Sequence, residues 1–129
     1  MREWWAMKGA FLISPMDGFF IAFGDRLEAT DLGVVERDSR VIQLRDTHDR
    51  LLTLFGDASD EWKAGFRMPS GDPAGPVPIE AVWAECRHEQ LFCDVVAEVS
   101  AGMPQTVWVL DTNSIVWDAT SIDRSRLRL

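Results

Sequence analysis

Apolar and polar positions alternate most regularly between Ile79 and Trp117. Ala81 to His88 and Leu91 to Val99 follow a period of two, as strands half-buried in a sheet do. With Glu89-Gln90 as the turn, Cys86 lies opposite Cys93, Ala84 opposite Val95 and Val82 opposite Ala97, an apolar set expected to point inward. The other face carries Trp83, Glu85, Arg87, Phe92, Asp94, Val96 and Glu98. Glu85 then opposes Asp94, and like charges directly opposed destabilise by up to roughly 1 kcal/mol unless a cation or a partner relieves them. Residues 79–89 are also rich in helix formers, with Ile79, Val82, Trp83 and Cys86 at helical spacing; the strand is the preferred reading.

A second hairpin follows. Val107 to Asp111 and Ile115 to Val116 flank Thr112-Asn113, and Asn tolerates the left-handed backbone of tight turns. This register pairs Leu110 with Ile115, Val109 with Val116 and Trp108 with Trp117. A one-residue slip would turn every one of these side chains over.

Upstream, Ala10 to Ile13 forms a short apolar strand and Ser14-Pro15-Met16-Asp17-Gly18 a strong turn signal. Phe19 to Phe23 is expected to return as a strand ended by Gly24-Asp25. Both runs are apolar on both faces, which predicts central strands or a covering layer. Leu27 to Leu32 suits a short helix stopped by Gly33. Arg40 to Arg45 and Leu51 to Phe55 flank the turn Asp46-Thr47-His48-Asp49. Ser59-Asp60-Glu61-Trp62 starts a helix that stops by Gly65, since Ser caps free amides and acids suit the positive end of the dipole. Met68 to Pro78, with four Pro and two Gly, is a surface loop. Ser121 to Arg124 forms a last helical turn before the basic tail. The predicted class is mainly β: a single antiparallel sheet, or a partly open barrel or sandwich, built from consecutive hairpins with one or two short helices.

With 129 residues the chain is read as a single domain spanning 1–129, large enough to hold a core without metal or disulfide support. An apolar share of 47% is that of an ordinary globular protein. The net charge of −8 disfavours nucleic acid and anionic membranes as direct partners. Its distribution says more: no Lys or Arg lies between Arg87 and Arg124, while Glu89, Asp94, Glu98, Asp111, Asp118 and Asp123 are all acidic. Trp occurs six times and Tyr never, and Trp is enriched both in cores and at binding hot spots. The two cysteines, with no secretory leader in view, are read as buried free thiols of a reducing, cytoplasmic compartment. No run approaches the ~20 apolar residues that a membrane span needs.

Catalytic and metal patterns are thin. Cys86, His88 and Cys93 offer zinc-type atoms, but a fourth ligand is missing and the spacing fits no familiar finger, so inner-face side chains explain them more cheaply. Asp46, His48 and Asp49 are explained by turn residues bonding their own backbone, and Asp57 with Glu61 by chance among many acids. No nucleophile elbow, phosphate-cradling glycine loop or HExxH pattern occurs, so no catalytic residue, cofactor or metal is assigned. The expected function is non-catalytic binding of a basic protein partner. Its candidate partner-binding residues are Trp83, Glu85, Phe92, Asp94, Glu98, Asp111 and Asp118, rings for affinity and carboxylates for steering and specificity.

The chain resembles the small acidic immunity proteins of bacterial polymorphic-toxin and contact-dependent inhibition systems in its size, acidity, cysteine usage and Val107 to Trp117 hairpin. The resemblance implies a cognate toxin, often a nuclease, blocked by tight one-to-one binding; it transfers no catalytic residue. Two other classes stand beside it. One is a ligand-binding β-barrel or small enzyme with a pocket lined by Trp4, Trp5, Phe11, Phe19 or Phe23. The other is a structural subunit of a homo-oligomer.

Overall fold

A computed structural model describes residues 8–58, 62–66 and 80–129, without the side chains of 64 and 65. Residues 1–7, the expected helix start at 59–61 and 67–79, which include the expected loop 68–78, lie outside the described residues. The elements run β1 (Gly9–Ser14), α1 (Phe19–Ala29), β2 (Val34–Arg37), β3 (Val41–Arg45), β4 (Leu51–Phe55), α2 (Trp62–Gly65), β5 (Glu80–Cys86), α3 (Glu89–Ala101), β6 (Trp108–Leu110) and β7 (Val116–Asp118). The strands form one open antiparallel sheet in the order β2-β3-β4-β5-β1-β6-β7. The mainly β class is therefore right, in its single-sheet form.

Two expected strands are helices. Phe19 to Phe23 opens α1, whose buried residues Phe19, Phe20, Phe23, Gly24 and Leu27 follow the helical repeat. Five residues of that run were too few to separate the two periods. Gly24, expected to stop a strand, lies inside the helix, and the sheet packs so close that a Cβ there would come within 2.5 Å of Ile42 Cδ1. The helix ends at Thr30 rather than at Gly33, and β2 occupies part of the segment expected to be irregular. Leu91 to Val99 belongs to α3, where Leu91, Phe92, Val95, Val96 and Val99 form the buried stripe. Its valines suit either structure by composition; packing against the sheet decides for the helix.

β5 is a strand, as preferred over the helix, but its neighbours differ from those expected. It pairs with β1 through Ala84↔Ala10 and with β4 through Leu54↔Ala84, so no 81–88/91–99 hairpin exists. Glu85 stands across from Gly9 and Thr53, not from Asp94, and the like-charge conflict disappears. The β3–β4 hairpin is as expected, with Leu44 opposite Leu52.

The last hairpin is real but slips by one residue: Trp108 pairs with Asp118, Val109 with Trp117 and Leu110 with Val116. Asp111 is the cause. Its Oδ1 accepts the N–H groups of Asn113 and Ile115, Asp111 N–H donates to the Ile115 carbonyl, and Ser114 takes φ 59. The loop is thus three residues, with the left-handed position at Ser114 rather than at Asn113. Trp108 and Trp117 consequently occupy opposite faces, and no cross-strand Trp pair forms.

Two layers of side chains cover the sheet. On one face Leu12, Ile42, Leu44, Leu54, Val82 and Val109 pack under α1 and α3. On the other, Phe11, Ile13, Phe55, Trp83, Trp108 and Leu110 meet Trp62 and Phe66 in a ring-rich cluster. Central strand β1 is buried on both faces along its whole length, which explains its unbroken apolar run. The tail folds back: Asp123 carbonyl accepts Arg126 and Leu127 N–H, and Leu127 is buried in the helix-side core. No helix among the described residues is long and apolar enough to cross a membrane.

Candidate functional site

The structure divides the seven expected binding residues between different surfaces and depths. Trp83 is buried in the ring cluster, edge-on to Phe11 at 4.9 Å, and Glu85 is half-buried two residues further along the same face of β5. Phe92 is fully buried on the opposite side, under α3. The expected combination of Trp83 and Phe92 as flat anchors on one exposed face is therefore corrected, because a helix places Phe92 in the core. Asp94, half-buried on α3, pairs with Arg124, while Glu98 is exposed one turn later.

Asp111 is a structural carboxylate. It is buried, and besides its two backbone donors its Oδ2 accepts Trp117 Nε1 at 3.0 Å. Asp118 is exposed at the end of β7, where its Oδ1 accepts the Thr120 N–H at 2.9 Å and the Thr120 hydroxyl at 2.7 Å.

Six arginines are engaged by other groups of the chain, whereas Lys8, Arg26, Arg40 and Arg87 are exposed. Arg37 binds Asp25 and Glu28, each at 2.9 Å, and these bonds raise its pKa against the opposing effect of burial. Arg45 pairs with Asp49 and Arg50 with Asp46. Arg126 stacks over Trp117 and Arg128 donates to the carbonyls of Ser125 and Leu127. Against 13 basic residues the chain has 21 acidic ones, so carboxylates such as Glu36, Glu98 and Asp118 remain as exposed surplus.

The histidine and cysteine patterns resolve simply. Cys86 and Cys93 are free, buried thiols whose pKa values burial pushes up. His88 is exposed, which corrects its expected inner-face position: it stands at the N-cap of α3, beyond the strand. Among the described residues no three His, Cys, Asp or Glu are grouped to hold a metal. In the β3–β4 turn Asp46 Oδ1 accepts the N–H groups of His48 and Arg50. Desolvation alone would raise the Asp46 carboxyl, but these bonds and the Arg50 guanidinium outweigh it and hold the group below the usual 3.8.

The aromatics suggested for a ligand pocket do not converge. Phe19 and Phe23 contact each other in the helix-side core, whereas Phe11 belongs to the opposite layer; Trp4 and Trp5 lie outside the described residues. A hollow of about 540 Å³ lies elsewhere, beside the C-terminal end of α3. Ser100, Met103, Gln105, Thr106, Asp118 and Thr120 contribute to its wall. The Ser100 hydroxyl is buried with no hydrogen-bond partner among the described residues, a state that costs on the order of 1–3 kcal/mol. Of these residues only Asp118 was singled out by sequence. The one signal for the rest is Ser100, which ends the apolar stripe of α3 with a polar side chain.

A smaller hollow of about 200 Å³ brings Glu85 near Thr53, Arg87 and His88. Against known proteins, no family model, no curated protein and no solved structure matches this chain.

Proposed function

We propose that this protein is a non-catalytic binding module that neutralises a basic protein partner, in the manner of an immunity protein holding a cognate toxin in a one-to-one complex. The observation that carries this reading is the imbalance of pairing. Arg37, Arg45, Arg50 and Arg124 are paired with carboxylates of the chain and Arg126 stacks on Trp117, while Glu36, Glu98 and Asp118 face outward. Such a surface raises the local concentration of a positively charged protein and speeds encounter. The relevant carboxylates are Glu98 and Asp118, with Asp94 moderated by Arg124, rather than the whole set expected from sequence. Trp83, Phe92 and Asp111 serve by fixing the scaffold that presents them. The buried free thiols fit a reducing, cytoplasmic setting.

The test is capture from a lysate of the source cells at low salt, followed by stoichiometry of the purified complex. A single basic protein domain in a one-to-one complex, released by salt, is the expected result. A neutral or acidic partner held equally well at high salt would refute the reading.

A further inference from the structure

We propose that the hollow beside the C-terminal end of α3 receives the charged head of one Lys or Arg side chain of the partner. This rests on the reading of the protein as a module for a basic partner, and it names where one anchoring contact is made. The wall of the hollow contains no Lys, Arg or His, and its one formal charge is Asp118. Asp118 spends Oδ1 on Thr120, which fixes the carboxylate and turns Oδ2 over to an incoming donor.

Ser100 is the second, independent sign. It is 8% exposed, it lines the same hollow, and its hydroxyl has no hydrogen-bond partner among the described residues. Gln105 and Thr106 add side chains able to accept hydrogen bonds, and Met103 supplies an apolar wall for a methylene stem.

The helix contributes in the same sense. Its carbonyl end carries partial negative charge, and α3 has no basic residue in its last turn. Arg26 of α1 packs against this end, so tightly on Gly102 that a Cβ there would lie 2.0 Å from its Nη2. It is not among the residues lining the hollow, so it lessens the field without occupying the space. A guest rich in donors and carrying positive charge matches this wall; a guanidinium offers five N–H groups and an ammonium three. At about 540 Å³ the hollow lies within the range of small-ligand sites, ample for one such head group.

The experiment is a titration of the isotope-labelled full chain with acetyl-Gly-Arg-Gly-amide, followed by amide chemical shifts. The control is the same peptide with neutral citrulline, and hexa-arginine is titrated separately. Saturable shifts confined to residues 100–106 and 118–120, given by the arginine peptide and at least fivefold weaker for citrulline, are expected. Asp118→Asn keeps an oxygen for Thr120, so it should fold and weaken the arginine peptide at least fivefold. Ser100→Ala, which removes no bond, should weaken it about twofold or more. Unchanged affinity in Asp118→Asn, or shifts that avoid the hollow, would overturn the assignment. If hexa-arginine binds at other carboxylates, only the hollow is rejected; if it does not bind at low salt at all, the reading of a basic partner falls with it.

Discussion

Replacing Phe92 by Ala tests whether residues 89–101 form the helix on which the surface depends. The side chain is fully buried in the core beneath α3, beside the equally buried Val95, Val96 and Val99. Truncation removes the transfer free energy of the ring and leaves a cavity that a sheet-backed core closes only in part. Together these cost about 3–5 kcal/mol. A domain holds roughly 5–15 kcal/mol in all, so a third or more of its stability should go. Equilibrium urea unfolding followed by Trp fluorescence measures this, with Glu98→Ala on the exposed side of the same helix as control, expected within about 0.5 kcal/mol of the parent. If Phe92→Ala does not fold, Phe92→Leu should still lose on the order of 1–2 kcal/mol. The alternating pattern would instead put Phe92 on an outer face; a loss below about 1 kcal/mol for Phe92→Ala would refute the helical placement.

Two further outcomes follow from the carboxylates. Asp111→Ala leaves two turn amides and the Trp117 indole without their acceptor and should destabilise by about 1–3 kcal/mol, with Asp111→Asn recovering part of the loss in the same unfolding assay. Asp46 is held below its ordinary 3.8 in the folded chain, so the unfolded state binds more protons in that window. Its contribution is present above the unfolded value and is lost as pH falls through the folded one. The stability deficit of Asp46→Asn should therefore be largest near neutral pH and shrink on acidification; a deficit that stays constant down to about pH 3 would contradict the linkage.

The parts of the fold legible in sequence are those where local chemistry and tertiary environment agree. The β3–β4 hairpin reads directly, because Asp46 builds its turn from neighbouring residues. β1 reads as central because it is apolar on both faces. The two longer helices, α1 and α3, were hidden by composition. Phe19 to Phe23 is apolar almost throughout, and α1 gains its N-terminal hydrogen bond from Glu80, sixty residues away, when Phe20 N–H meets Oε2 at 2.8 Å. No local cap announces that start. In α3, alternate residues 91, 93 and 95 are as apolar as the helical set 91, 92, 95, 96 and 99, and only the sheet beneath distinguishes them.

For the binding surface, the excess of acid was visible, but its assignment to one face depended on a hairpin that does not form. Glu98 and Asp118 remained accessible, whereas Asp111 turned inward as the organiser of its loop. The hollow could not be read from spacing, because its wall joins the end of α3, the connection 103–107 and the turn after β7.

The central claim, that unpaired surface carboxylates draw in a basic protein, is met most directly by the ionic-strength dependence of association with the captured partner. Stopped-flow rates should fall at least tenfold between about 20 mM and about 500 mM salt, and Glu98→Lys combined with Asp118→Asn should lower the low-salt rate while leaving the melting temperature nearly unchanged. A rate indifferent to salt and to both substitutions would contradict it.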